Sequence, residues 1–485
     1  MHIHEEAARC MFCTDAPCSK ACKNGDPARA IRAVRFGNEN FARRWVAKCS
    51  DAELEAAEKA CIHYDRPIRI RELVGQLPEV PQTKLPSLAI DFCGIPCEHP
   101  FFLASSAVCT SYDMVARAFD AGWAGVFYKT ICLQEIKEVS PRFDAMHVEG
   151  TNDFYSFRNM EQLSENPADV DFDILRRLKQ NYPSKIVVAS IMGQQEEEWI
   201  ELAKKAEEAG CDAVELNFSC PQMRMAGMGS DVGQNPELVL FYTAYVKRSV
   251  KIPVIPKMTP NITQISQPAM ASYFAGADAI SAINTIKSVT MDPRSEVHGK
   301  KCISGLSGRA VKPIALRYIL EMAANPIING ASGHGKKVEI SGIGGIETWR
   351  DALEYIQLGC TNVQVCTAVM QYGYRIIDDL KLGLQYYMAE RGVSELSTLV
   401  GEQVAGFSSA SDLDRASVVF PKFDLEKCIG CGRCYTSCQD GGHQALSFGD
   451  DRRPHLNGAK CVGCLLCRLV CPTDAISPSK RVAKK

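Results

Sequence analysis

The chain has 485 residues, 46% of them hydrophobic, with 55 basic against 57 acidic side chains. That balance gives no reason to expect nucleic acid or an anionic membrane as a partner, and no run approaches the roughly 20 apolar residues of a membrane span. The polar, acidic start MHIHEEAARCMFC is wrong for a secretory signal, so a cytoplasmic protein is expected.

Residues 1–80 form the first segment, with short helical stretches such as AELEAAEKA (Ala52 to Ala60) and a run of cysteines. Cys10, Cys13, Cys18 and Cys22 are spaced C-x2-C-x4-C-x3-C, and Cys49 and Cys61 follow at a distance. This suits an iron–sulfur cluster or a zinc knuckle and leaves the ligand set open. A proline-bearing stretch, LPEVPQTKLPS, reads as a linker.

From 85 to 405, short β-branched runs alternate with amphipathic helical segments. Eight candidate strands begin at His99, Gly125, Lys185, Ala213, Val254, Ala279, Val338 and Asn362. Eight such units predict a (β/α)8 barrel, with an open doubly wound sheet as the alternative. The strands are apolar until their ends, where Ser105, Lys129 with Thr130, Asn217, Lys257 and Asn284 stand in turn. In a barrel those ends converge on one mouth, so a site is expected there. SGIGGI after the seventh strand and Cys366-Thr367 after the eighth fall where barrels hold phosphate on bare backbone N–H groups.

The third segment, 418–480, carries CIGCGRCYTSC and CVGCLLCRLVCP. Both follow C-x2-C-x2-C-x3-C, the ligand pattern of a two-cluster ferredoxin, in which the fourth cysteine of each run serves the other cluster. Cys428, Cys431, Cys434 and Cys471 are therefore expected to hold one [4Fe-4S] cluster. Cys461, Cys464, Cys467 and Cys438 are expected to hold the second. Paired zinc sites are the bland alternative. Gln439 stands where such runs usually continue with proline, which alters loop shape more than ligation. No G-x-G-x-x-G opens a βαβ unit, so no NAD or FAD domain is expected within the chain.

The stretch NFSCPQMRMAGMGSDVGQNPELV (Asn217 to Val239) resembles the active-site loop of dihydropyrimidine dehydrogenases, closest to the catalytic subunits of the bacterial NAD-dependent enzymes. PKMTPNIT, SAINTIKS, GLSGRAVKPIALR, SGIGGIETW, MQYGYRI and CGRCY–SC–DGGHQA continue the resemblance in order over about four-fifths of the chain. It implies FMN held by Ser105, Lys129, Thr130, Lys257, Gly308, Gly344, Gly345, Ile346, Cys366 and Thr367. It implies a pyrimidine held by Asn217, Ser219, Asn284 and Thr285, with Gln195 standing where the family is read as having an asparagine after strand three. Cys220 matches the catalytic cysteine, and the glycine-rich stretch beyond it suits a lid. At the N-terminus the resemblance implies that Cys10, Cys13, Cys18 and Cys61 share a cluster, while Cys22 belongs to a second set that is depleted here. The implied activity is pyrimidine–dihydropyrimidine interconversion, with electrons exchanged through a partner NAD(P)/FAD flavoprotein in a hetero-oligomer. A dihydroorotate dehydrogenase-like enzyme and a non-catalytic electron-transfer module are the competing readings.

Overall fold

The computed structural model describes residues 2–148, 154–223, 228–291, 302–333 and 335–484. The chain divides into two compact units, Met1–Ala405 and Gly406–Lys485.

The first unit is built on a closed barrel of eight parallel strands. They are β1 (Phe101–Leu103), β2 (Gly125–Phe127), β3 (Ile186–Ile191), β4 (Ala213–Asn217), β5 (Val254–Lys257), β6 (Ala279–Ala282), β7 (Glu339–Ile343) and β8 (Asn362–Val365). Each pairs with its sequence neighbours, and β8 closes onto β1 through Val363 opposite Phe101. Every residue of β3 and β4 is buried, as strands covered by helices on one face and barrel core on the other must be. All eight strands fall within the segments expected from the sequence.

Helix ends follow local chemistry. Ser111 accepts the Met114 N–H ahead of Tyr112–Ala121, and Thr348 with Asp351 forms a reciprocal capping box at Trp349–Gln357. A two-residue turn with Cys93 and Gly94 both at positive φ joins Ile90–Phe92 to Ile95–Cys97. This ribbon packs Phe92 and Cys97 against Phe102, Phe127, Val188 and Ile255 of the barrel interior.

Two insertions were not foreseen as strands. Phe143–His147 with Phe154–Asn159 follows β2, and Ile286–Ser288 with Ser304–Ser307 follows β6; together they make one antiparallel four-stranded sheet. Fully buried Arg158 ties the two hairpins together, donating from Nε to Ser304 Oγ at 2.7 Å and from its guanidinium to the Cys302 carbonyl at 2.8 Å.

The N-terminal helices lie against the barrel. Helix Pro27–Arg35 meets helix Ile377–Glu390 through the buried pair Arg32 Nε–Asp379 Oδ2 at 2.7 Å, and Phe41 stacks on Tyr386 with centroids 5.0 Å apart. The second unit is small-cored: Cys434, Leu446, Cys467 and Ile476 are the buried residues of its cluster. Among the described residues no helix is long and apolar enough to cross a membrane.

Candidate functional site

The carboxyl ends of the barrel strands surround a cavity that opens to solvent. Ser105, Lys129, Thr130, Asn217, Lys257, Asn284 and Thr285 line it, with Gly308, Gly344, Gly345, Ile346, Cys366 and Thr367 at the end reached by β7 and β8. All ten residues expected around a flavin face this one space. The inserted sheet supplies Phe157, Asn159 and Leu306 to its wall.

The polar groups are tightly wired. Asn217 Nδ2 donates to Thr130 Oγ1 at 2.9 Å, while its Oδ1 accepts the Ser219 hydroxyl at 2.8 Å and the Ser219 N–H at 3.2 Å. Asn284 Nδ2 donates to Ser219 Oγ at 2.9 Å, and Asn284 Oδ1 accepts the Thr285 N–H at 2.7 Å. Ser219 thus sits buried behind the two amides and braces both.

Two cations reach the cavity among the described residues, and each meets a carboxylate. Lys129 Nζ lies 2.5 Å from Glu161, which also takes Arg142 at 3.2 Å. Burial alone would raise the Glu161 carboxyl, but these two cations outweigh it and hold the group below the ordinary range. Lys257 Nζ lies 3.3 Å from Glu215, and both side chains are buried.

Backbone approaches the cavity closely at its glycine end. Gly344 and Gly345 have φ of +133° and +71°, and a Cβ on Gly345 would stand 2.7 Å from the Gly308 carbonyl. No side chain fits there, so the main chain itself is presented. Gln364 Oε1 lies buried in the lining with no partner among the described residues.

Cys220, three residues beyond the end of β4, is 4% exposed. Burial pushes its thiol up, only partly countered by the Gln222 N–H and by Lys129 and Lys257, so the sulfur keeps its proton. The Cys220 carbonyl accepts the Ser230 N–H at 3.0 Å, and a Cβ on Gly229 would meet that carbonyl at 2.3 Å, so Gly229 lets the loop fold back on itself. Residues 224–227 of the expected lid lie outside the described residues.

Gln195 lies apart from the other expected contacts. It is exposed, stands at the N-cap of helix Glu196–Glu208, and does not line the cavity. As N-cap, Gln195 stands at the start of the helix with its side chain in solvent. Asn159 and Gln162 line the mouth from the inserted segment instead. Asn159, Glu161 and Gln162 were not singled out from the sequence; the three aromatics in FYSFRN were the signal for the strand that carries Asn159. Glu215 was missed too, although a lone acid inside the apolar strand AVELN marks a buried charge.

The cysteines gather into three further cavities. Cys428, Cys431, Cys434 and Cys471 line one of about 370 Å³, and Cys438, Cys461, Cys464 and Cys467 line another of about 350 Å³. The pair is built alike: Ala445 N–H donates to Cys438 Sγ at 3.4 Å and Ala475 N–H to Cys471 Sγ at 3.3 Å. Cys10, Cys13, Cys18 and Cys61 line the third, of about 350 Å³. Cys22 stands apart from it, its sulfur 2.6 Å from that of Cys49.

Residues 87–388 match the family model described as dihydroorotate dehydrogenase, and 422–477 match that of the 4Fe-4S dicluster domain. The chain is 49% identical over 405 residues to the NAD-dependent dihydropyrimidine dehydrogenase subunit PreA of Escherichia coli K12, covering 82% of this chain and 97% of the relative. It is 36% identical to the chloroplastic dihydropyrimidine dehydrogenase (NADP(+)) of Arabidopsis thaliana, over 68% of this chain and 79% of that protein. It is 33% identical to the catalytic subunit of dihydroorotate dehydrogenase B (NAD(+)) of Pyrococcus abyssi, over 65% and 98%. A parallel barrel with a polar mouth, joined to a dicluster domain and 49% identical to one such subunit over 82% of this chain, belongs to the dihydropyrimidine dehydrogenase branch of the dihydroorotate dehydrogenase family and is an oxidoreductase.

Proposed function

We propose that the chain binds FMN across the barrel mouth and interconverts uracil or thymine with their 5,6-dihydro forms. The observation that carries this reading is the meeting of two carboxamides and a buried thiol, on Asn217, Asn284 and Cys220, in the cavity that also receives Lys257. The residues present suit FMN: bare backbone at Gly308, Gly344 and Gly345 suits a terminal phosphate, and the orphaned Gln364 Oε1 suits a donor such as a ribityl hydroxyl. Ser105, Lys129, Thr130, Ile346, Cys366 and Thr367 would complete the hold.

Bound FMN supplies hydride exchange with the pyrimidine. Lys257 would supply positive charge to offset the negative charge that an isoalloxazine gains on reduction. Asn217, Asn284 and Thr285, with Asn159 from the inserted sheet, offer donors and acceptors that pair with the alternating N–H and C=O groups of a pyrimidine. A ring lacking those groups leaves the remaining hydrogen-bonding capacity of these groups unmet and is rejected. Cys220 holds the proton destined for C5, and its burial keeps that proton on sulfur until the substrate draws it off.

The C-terminal cysteine sets would each hold a [4Fe-4S] cluster, and Cys10, Cys13, Cys18 and Cys61 a third. Cluster thiolates suit the reducing cytoplasm. The partner would be an NAD(P)-dependent FAD flavoprotein, giving a hetero-oligomer; the PreA relative is itself named a subunit. We further propose the division of the chain into 1–80, 85–405 and 418–480.

Orotate is disfavoured because its carboxylate needs a spare cation, and Lys129 and Lys257 are both held by carboxylates. A bare electron carrier would have no use for Cys220 and two amides lining one cavity. Photoreduced protein mixed anaerobically with uracil, thymine and orotate tests the reading. Flavin reoxidation by uracil or thymine supports it, and reoxidation by orotate alone overturns it.

A further inference from the structure

Glu215 is fully buried inside the barrel, and none of the expected contacts uses it. Its Oε1 accepts the Ser190 hydroxyl at 2.9 Å and lies 3.3 Å from Lys257 Nζ. Its Oε2 has no partner among the described residues. A carboxylate this deep is retained only with compensation, and Lys257 supplies the opposite charge.

The carboxylate also gives the hydroxyls a direction. A carboxylate only accepts, so Ser190 spends its single proton on Glu215. Ser190 Oγ must then accept from Thr130, 2.9 Å away. Thr130, its own proton committed, can only accept from Asn217 Nδ2 at 2.9 Å and from the Ser105 hydroxyl at 3.1 Å. The far side of the amide agrees, because the Ser219 backbone N–H is an unambiguous donor and points at Asn217 Oδ1.

We infer that Glu215 is a positioning residue of the reaction: through Lys257 it holds the charge at the flavin edge, and through Ser190 and Thr130 it sets the donor–acceptor polarity that Asn217 shows the pyrimidine. The inference rests on the FMN and pyrimidine reading of the mouth. It requires one change to act on two observables, while a change at Ser190 acts on one.

The test uses the full-length holoprotein with Glu215→Gln, an isosteric change, and Ser190→Ala. The flavin midpoint potential is read by dye-referenced reduction, and uracil affinity by perturbation of the flavin spectrum. Removing the negative charge beside Lys257 favours the reduced anionic flavin. Glu215→Gln is therefore expected to raise the potential by about 30 mV, a tenfold shift for a two-electron couple, and to weaken uracil about tenfold. Ser190→Ala is expected to weaken uracil similarly and leave the potential in place. An unmoved potential in Glu215→Gln overturns the charge limb, and an unmoved uracil affinity in Ser190→Ala overturns the polarity limb, even if Glu215→Gln fails to fold. Wild-type protein that binds no flavin contradicts the reading of the mouth itself, a result distinct from either.

Discussion

The barrel and the C-terminal unit hold their sites by opposite means. Around the barrel mouth a continuous core of buried Val, Ile, Leu, Phe and Trp makes the shape, and the polar groups are braced by one another. In Gly406–Lys485 the buried cluster is Cys434, Leu446, Cys467 and Ile476, and two of these four are thiols expected to face iron. A unit of this size with so little apolar burial needs an added staple. A bound group is thus a guest in the barrel and part of the core in the tail.

That contrast is broken most directly by removing iron. Chelation under reducing conditions is expected to unfold the C-terminal unit, because binding energy there is folding energy. The barrel is expected to keep its helical circular dichroism and its flavin. Simultaneous loss of both would erase the distinction.

Next in size is the guest's own chemistry. Cys220→Ala is expected to retain flavin and iron while turnover falls about 10²–10⁴-fold, the usual share of a general acid. Cys220→Ser is expected to be slow as well at neutral pH, since a hydroxyl is a far weaker acid. Steady-state rates with a chemical electron donor check both, and wild-type turnover by Cys220→Ala would make the cysteine structural.

The barrel's self-sufficiency also has a pH signature at its closed end. His99 is buried, Nε2–H donates to the Gly122 carbonyl at 2.8 Å, and Nδ1 accepts the Phe101 N–H at 3.3 Å. Burial, opposed by that carbonyl, pushes its pKa down to about 4. The folded state therefore binds this proton less tightly than the unfolded state, whose histidine titrates near 6.5. The neutral ring stabilises the fold above pH 6.5, and the contribution is lost as pH falls toward 4, about 3 kcal/mol in full. His99→Gln is expected to flatten the difference in urea midpoint between pH 7.5 and pH 5.5, and equal slopes in the two proteins would refute the assignment.

The smallest effect separates the N-terminal cysteines. Cys61→Ala is expected to lose about four of roughly twelve irons per chain, while Cys22→Ala keeps them. A loss in Cys22→Ala would place that sulfur on a cluster.

Much of this was legible before any coordinates. Regular spacing is a local signal, so the C-terminal cysteine sets could be read four by four, and short continuous apolar runs ending in Ser, Lys or Asn marked both the barrel strands and their mouth. Legibility failed where geometry depends on distant chain. Spacing alone did not group Cys61 with Cys10, Cys13 and Cys18 or set Cys22 beside Cys49, although the family resemblance implied that grouping. Asn159 reaches the mouth because its strand pairs with Ser304–Ser307 far along the chain. Gln195 is exposed at the N-cap of helix Glu196–Glu208, a position its sequence neighbours alone do not separate from one at the mouth.

The central claim is that this chain reduces pyrimidines at a flavin but must receive its electrons from a second protein. Anaerobic product analysis of the isolated holoprotein with uracil, given either NADH or photoreduction, tests it in one experiment. Dihydrouracil is expected from the photoreduced protein and not from NADH; efficient NADH-driven formation of dihydrouracil by the chain alone would contradict the account.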